Sequence, residues 1–524
     1  MTSSRVRAGV AGAAALITVL TIASRIAGFG RTLVFLQAVG TDGLANVYNA
    51  ANTIPNIVFE LVAGGALAGL VVPLVAAAAD AGDRERVGAI ASALLTWVLT
   101  LMVPLAVVIA LCAGPIAGLL DIPAGDQVIA ARMLRIFAPQ LPLYGIGIVL
   151  TGVLQAHHRF AWPVIAPLLS SVTVMVAYLS YALVDGPRSG TGGLSPTGEL
   201  ILAGGTTLGV VVLASCLLIP LRRLRLRLRP TYGFPGNEGR QAIRLGWAGA
   251  VTVGSQQLMV LAVLAVATKG PLTTFMAAQT VFLLPWAVLA VPLATAVYTR
   301  LVTAFARRDE DAYAAALAPA TRSVVLLACL GAAALGALAW PAAHLIRAPG
   351  AATGIVAFAP GLLGYALFAI LSRALYARGA TRAAAGATAA GWGLAAVAVV
   401  ALSAVLEPRW QLAGLGAANA AGMSVIGLLL VLGVRRHAGR QALSGLPRVS
   451  AVGIVAAVVA GFAGWGATEG VRHALGGTPA VWGSILQGML GGVVVAVVFA
   501  AVVYPLDRRD LRSLVSKFTG RDRT

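Results

Sequence analysis

The chain has 524 residues and a formal charge of +20; 59% of its residues are hydrophobic, 11% are charged, and the mean hydropathy is +0.90. Water-soluble domains carry roughly 25% charged residues, so this composition excludes a soluble fold. Because the arginines fall between apolar runs, the positive charge reads as membrane topology and contact with anionic lipid headgroups, and no nucleic acid is expected as a partner.

A helix needs about 20 residues to cross a hydrocarbon core of about 30 Å, and apolar runs of that length recur from end to end. They predict spans at 8–29, 44–78, 88–113, 130–154, 160–184, 199–220, 243–267, 272–299, 318–345, 354–376, 382–405, 411–434, 449–471 and 482–506. The fold class is therefore all-α, a polytopic membrane protein of about fourteen spanning helices. The first run is too long for a signal peptide, contains Arg25, and has no polar mature domain behind it. Prolines at 55, 139, 142, 285, 292 and 360 lie inside spans, where bilayer helices tolerate them by re-satisfying freed backbone groups, so broken helices are expected.

An ionisable side chain at membrane depth is costly and is by default a functional candidate. Arg25 lies deep in the first span and Arg31 near its outer end, with Gly28 and Gly30 between them to bend the helix and turn both guanidinium groups to one cavity. Glu60, in the second span, is the one carboxylate placed well inside the bilayer. Two readings stay open for these residues. Arg25 and Glu60 can form a structural pair, or the planar fork of arginine can grip the phosphate oxygens of an anionic headgroup. Arg132, Arg135, Arg322 and Arg373 are expected near cytoplasmic helix ends, where long side chains snorkel.

Between the sixth and seventh spans, Leu221 to Gln241 reads LRRLRLRLRPTYGFPGNEGRQ, the one long polar interruption of the middle of the chain. It divides the chain into an N-lobe 1–220, a basic linker 221–242, a C-lobe 243–440, an additional helix pair 449–506 and a basic tail 507–524. A repeat supports the division. Phe137, Ala138, Pro139, Leu141, Tyr144, Leu150, Leu154 and Ala156 recur as Phe358, Ala359, Pro360, Leu362, Tyr365, Leu371, Leu375 and Ala377, each 221 residues on. Six helices separate the copies. An even number keeps both halves in one orientation, so the pseudo-twofold is expected along the membrane normal. Arginine-rich loops alternate with arginine-poor ones, which puts both termini and the linker in the cytoplasm.

The three cysteines, Cys112, Cys216 and Cys329, sit in separate apolar runs away from histidine, so neither a disulfide nor a metal site is expected. No phosphate-cradling glycine loop and no metal-spaced histidine set occurs, and His157-His158 stands without nearby acids. Catalysis and a cofactor are not expected.

Residues 22–75 carry a resemblance. The stretch IASRIAGFGRTLVFLQAVG, followed by LANVYNAANTIPNIVFELVAGGALAGLVVPLV, resembles the N-terminal signature of the MurJ (MviN) family, through Ser24, Arg25, Gly28, Phe29, Arg31, Pro55, Asn56, Gly65, Ala66, Val72 and Pro73. That family belongs to the multidrug/oligosaccharidyl-lipid/polysaccharide (MOP) exporters, so the resemblance implies a MATE-like fold and a flippase of lipid II for peptidoglycan synthesis. It implies alternating access around a V-shaped cavity. Arg25 and Arg31 would hold the pyrophosphate, with Glu60 beside them, and Asn46, Asn49, Asn52, Gln279 and Thr280 would meet the sugar or peptide. It also implies a groove for the polyprenyl tail along 449–506, and cell-wall synthesis proteins as partners. Where the family carries acids this chain has Thr32, Asn46, Gly64 and Ala262, and Gln279-Thr280 replaces an Asp-Arg pair. The alternatives are a flippase of another lipid-linked oligosaccharide, a drug/cation antiporter of the same superfamily, and a non-transporting scaffold of cell-wall assembly.

Overall fold

The computed structural model describes residues 2–62, 71–120, 122–187, 190–235, 238–267, 270–477 and 481–506, with side chains outside 2–18 and 238–248. The described residues are helical with short connections, and they form two compact units, Met1–Thr273 and Thr274–Thr524.

The first unit contains α1 (Thr2–Ala38), α2 (Leu44–Phe59), α3 (Val71–Asp80), α4 (Arg84–Leu111), α5 (Ala113–Leu119), α6 (Ala124–Phe137), α7 (Gln140–Ala156), α8 (Ala161–Val184), α9 (Pro196–Arg222) and α10 (Glu238–Ala267). The second contains α11 (Leu272–Pro285), a π-helical turn Trp286–Ala290, α12 (Val291–Ala306), α13 (Glu310–Leu345), α14 (Ala351–Phe358), α15 (Gly361–Ala377), α16 (Thr381–Val405), α17 (Pro408–Ala438), α18 (Leu446–Ala474) and α19 (Val481–Leu506), α11 beginning at the unit boundary. Among the described residues twelve helical segments are long and apolar enough to cross a membrane, and the bent pair α14–α15 makes a thirteenth. The remaining expected span, 44–78, falls on α2 and α3, with 63–70 outside the described residues. The chain is a multi-pass membrane protein.

The first span differs from expectation. Leu33 to Ala38 continues the apolar helix that was expected to end at 29, and α1 stops only at Ala38, before Gly40 takes a φ of 103°. Arg31 therefore lies a full two turns inside the helix rather than near its end.

The repeat is written into the helix boundaries. α6 ends at Phe137 and α7 runs from Gln140 to Ala156; α14 ends at Phe358 and α15 runs from Gly361 to Ala377, every boundary 221 residues apart. Pro139 and Pro360 bring no N–H to the ladder, so both helices break at the same place. The break bends α14 against α15 by 54°, whereas Ala124–Ala156 passes as one span.

A second register joins α2 to α11 at an offset of 227. Tyr48 packs edge-on against Phe137 with centroids 5.5 Å apart, and Phe275 packs on Phe358 at 5.4 Å. Phe59 lies 4.2 Å from Tyr144, and Trp286 stacks 4.7 Å from Tyr365. A π-helical turn begins at the end of each set, at Glu60 and at Trp286. In the second unit α15 and α17 approach backbone to backbone, since a Cβ on Gly364 would collide with the Met423 carbonyl.

The linker is not a free loop. After α9, Arg225 adopts a left-handed φ of 52° and the non-helical residues 226–230 lie against α4. The Arg229 N–H donates to Ser92 Oγ at 3.0 Å and the Thr231 N–H to Thr96 Oγ1 at 3.1 Å. Trp97 Nε1 donates to the Tyr232 carbonyl at 3.1 Å, and the Thr100 and Tyr232 hydroxyls lie 3.0 Å apart.

Candidate functional site

Arg25 and Arg31 both reach the surface of the first unit from α1, which is unbroken at Gly28 and Gly30. On a regular helix, side chains six residues apart point about 120° away from each other. The two guanidinium groups therefore leave α1 in different directions.

Arg31 has surroundings that the sequence did not announce. It lies within electrostatic range of Tyr48, Tyr144 and Tyr178. The Tyr48 hydroxyl is 2.9 Å from that of Tyr178 and 2.7 Å from Thr206 Oγ1, a buried polar cluster with every hydroxyl engaged. Tyr144 donates to Asn56 Oδ1 at 3.3 Å and is also within range of the Glu60 carboxylate. Among the described residues Glu60 makes no ion pair with Arg25 or Arg31, so the structural Arg25–Glu60 pair is not formed. The aromatic positions could have been found as tyrosines that interrupt otherwise aliphatic spans.

The asparagines of α2 separate into two groups. Asn46 is 5% exposed; its amide donates to the Gly270 carbonyl at 2.7 Å and its Oδ1 accepts from the Thr273 N–H at 2.9 Å. Asn49 donates to Thr273 Oγ1 at 3.0 Å. Both amides are spent in holding the turn after α10. Further along, Asn52, Asn56 and Glu60 recur every four residues and so share one face. Asn52 Oδ1 is buried without a hydrogen-bond partner, which makes Asn52 the asparagine with bonding capacity to offer.

In the second unit, Gln279 and Thr280 are half-buried on α11, and the Thr280 hydroxyl is turned back onto the Met276 carbonyl at 2.8 Å. They occupy the repeat positions of Asn52 and Thr53, 227 residues earlier, where Thr53 likewise bonds back to the Asn49 carbonyl at 2.6 Å. AANT at 50–53 and AAQT at 277–280 are one pattern in two copies.

Of the other expected arginines, Arg135 is exposed, Arg322 donates to the Ser444 carbonyl and Arg373 to the Ala369 carbonyl of its own helix. Arg132 does not snorkel: it makes a two-pronged contact, Nε to Oε1 at 2.9 Å and Nη2 to Oε2 at 2.7 Å, with Glu199, which is 6% exposed in the first turn of α9. Burial of the carboxylate requires a paired cation, and the arginine fork supplies it. Among the described residues no three histidine, cysteine or acidic side chains gather as metal ligands.

Comparisons with known proteins agree with this architecture. The family model described as lipid II flippase MurJ matches residues 35–482. The chain is 28% identical over 239 residues to a probable lipid II flippase MurJ of Synechocystis sp., covering 45% of this chain and 44% of that protein. It is 27% identical over 489 residues to the lipid II flippase MurJ of Burkholderia cenocepacia, covering 86% and 89%. Three of these curated relatives are matched over about half of their length or less, between 37% and 53%. Among solved structures, a lipid II flippase MurJ in an inward closed conformation superposes with a TM-score of 0.69 at 15% identity, covering 94% of this chain and 99% of that one. An inward-facing multidrug resistance MATE family transporter of the MOP superfamily gives 0.62 at 15% identity, covering 82% and 99%. At these identities the structural likeness concerns the fold.

Proposed function

The chain belongs to the MurJ family, and we propose that it carries a polyprenyl-pyrophosphate-linked cell-wall precursor, lipid II foremost, across the bacterial cytoplasmic membrane by alternating access. The observation that carries this reading is the continuity of the family match, which runs from 35 to 482 through both compact units. The relatives at 27–28% identity bear the flippase name.

In this reading Arg25 and Arg31 meet the pyrophosphate in turn as it moves along α1, rather than together, because they stand on different flanks of one helix. A guanidinium fork matches phosphate oxygens in pairs, which a lysine ammonium does not. Asn52 and Asn56, with Tyr144 and Glu60, offer donors and acceptors to the sugar or peptide, and Gln279 and Thr280 offer the equivalent groups from the second unit. Asn46 and Asn49 serve as anchors. The six-helix lobes, the additional pair 449–506 as a bed for the polyprenyl tail, and cytoplasmic placement of both termini belong to the same proposal.

The test is replacement. A host depleted of its own lipid II flippase is supplied with this chain, and externally accessible lipid II is measured. Its return is the expected result; normal insertion of the chain without its return would refute lipid II as the substrate.

A further inference from the structure

The arginines of the linker have a mount that transport does not explain. On α4, Gly88, Ser92, Thr96 and Thr100 recur every four residues, about 6 Å of helix. The chain docked on them advances by two residues per step, 227, 229, 231, which is about 6.6 Å when extended. The two repeats match closely enough for successive N–H groups, of Arg229 and Thr231, to meet successive hydroxyls, of Ser92 and Thr96. Gly88 completes the register, since a Cβ there would stand only 3.0 Å from the Arg227 carbonyl.

An extended chain sends alternate side chains to opposite sides. Arg227 and Arg229 therefore share one edge and Leu226 and Leu228 the other, while Arg223 and Arg225 lie in the turn that leads into the run, Arg225 with a left-handed φ of 52°. All four arginines are exposed, and none forms an ion pair among the described residues. Leu224 and Leu226 are half-buried, and beside the strap Trp97 and Tyr232 meet edge to face at 5.2 Å while both remain more than half exposed. Beyond them α4 presents bare Leu101, Val107 and Val108. Unpaired cations above, a tryptophan–tyrosine pair at their level and apolar surface below follow the layering of a bilayer interface.

We propose that the strap 223–232 is a built binding track for anionic phospholipid headgroups, Arg227 and Arg229 being held in register by the hydroxyl ladder of α4 and Arg223 and Arg225 presented by the turn before it. The site stands whether or not the chain moves lipid II. A free polyphosphate has the same phosphate chemistry, but the apolar edge and the aromatic pair favour a lipid.

The full chain is reconstituted in phosphatidylcholine vesicles with or without phosphatidylglycerol, and hydrogen exchange of the 224–232 amides is followed together with thermal denaturation. Phosphatidylglycerol should slow exchange and raise the melting temperature. Each arginine neutralised in Arg225→Gln, Arg227→Gln and Arg229→Gln should weaken the lipid response about fivefold. The decisive variant is Ser92→Ala with Thr96→Val, which alters no charge yet releases the strap; it should lose most of the response. Retention of the full response by that variant, or by the triple glutamine variant, overturns the proposal. So does an equal response to inorganic pyrophosphate in pure phosphatidylcholine, which would make the track a site for soluble anions. Should the glutamine variant fail to fold, the triple lysine variant keeps the charge, and complete loss of its response would count against a headgroup track.

Discussion

At the scale of single residues, the same side-chain type does opposite work a turn or two apart. Asn46 is saturated by the turn after α10, whereas Asn52 keeps a buried oxygen without a partner. Asn46→Ala would strand the Gly270 carbonyl and the Thr273 N–H, and buried groups left unpaired cost about 1–3 kcal/mol each. The variant should melt markedly lower in detergent yet transport normally once folded at low temperature, whereas Asn52→Ala should do the reverse, losing transport with little change in melting. Arg25→Ala should abolish transport while the protein still folds and inserts, and Arg25→Lys should restore only part of it, because a point charge loses the paired contact. Full transport by the alanine variant at normal expression would remove Arg25 from the site. The candidate residues themselves were legible in the sequence because ions and amides are rare in apolar spans. Their division into anchors and free groups was not, since it depends on a turn more than two hundred positions away in the chain.

At the scale of helices, proline and aromatic positions determine where the chain breaks and what seals the break. Phe137 and Phe358 are both fully buried at equivalent boundaries, each against an aromatic of the preceding helix pair. Phe137→Ala and Phe358→Ala should therefore destabilise to a similar degree, about 3–5 kcal/mol each for a buried aromatic. Thermal midpoints of the two purified variants compare them, and a near-neutral effect at either site would mean that the repeat is preserved in sequence without equivalent packing. The register of 221 residues could be read directly because phenylalanine, proline and tyrosine are uncommon enough in these spans for their recurrence to stand out. The register of 227 stayed hidden: Tyr48 is matched by Phe275, Phe59 by Trp286 and Asn52 by Gln279, exchanges that keep shape and bonding capacity but not identity. The late end of α1 was missed for a related reason, as Arg31 interrupts an apolar run that the helix simply continues past. Docking of the linker on α4 was illegible, because hydroxyls at every fourth position of a span ordinarily bond back to their own helix, as the Thr96 hydroxyl also does to the Ser92 carbonyl.

For the whole molecule, the alternation of arginine-rich and arginine-poor loops is the ground for proposing that the linker faces the cytoplasm. A cysteine placed at Gly236 should resist an impermeant thiol reagent in intact spheroplasts and react after permeabilisation; labelling of intact cells would invert the assignment. The same scarcity of charge that gives this topology constrains the energy source. From Ile243 to Val434 the acidic residues, Asp309, Glu310, Asp311 and Glu407, all lie at helix ends or in loops, and Glu310 is already held by Arg378 in a two-pronged contact of 2.6 and 3.0 Å. Glu407 likewise pairs with Arg409. A sodium ion in a low-dielectric surround needs formal negative charge or several well-placed oxygens to replace its hydration, and the spans from Ile243 to Val434 bring no carboxylate for that purpose. An electrical driving force would then act on the arginines of α1, on Glu60 or on the charged substrate, at about 2.3 kcal/mol per charge per 100 mV. Transport by the reconstituted protein should accordingly follow the imposed membrane potential and be indifferent to a sodium gradient at fixed potential. Glu60→Gln should alter the steepness of the dependence on potential if Glu60 moves in the field, without creating a need for sodium. Strict sodium dependence that survives Glu60→Gln would overturn this account, because it requires a cation site built without any carboxylate at membrane depth.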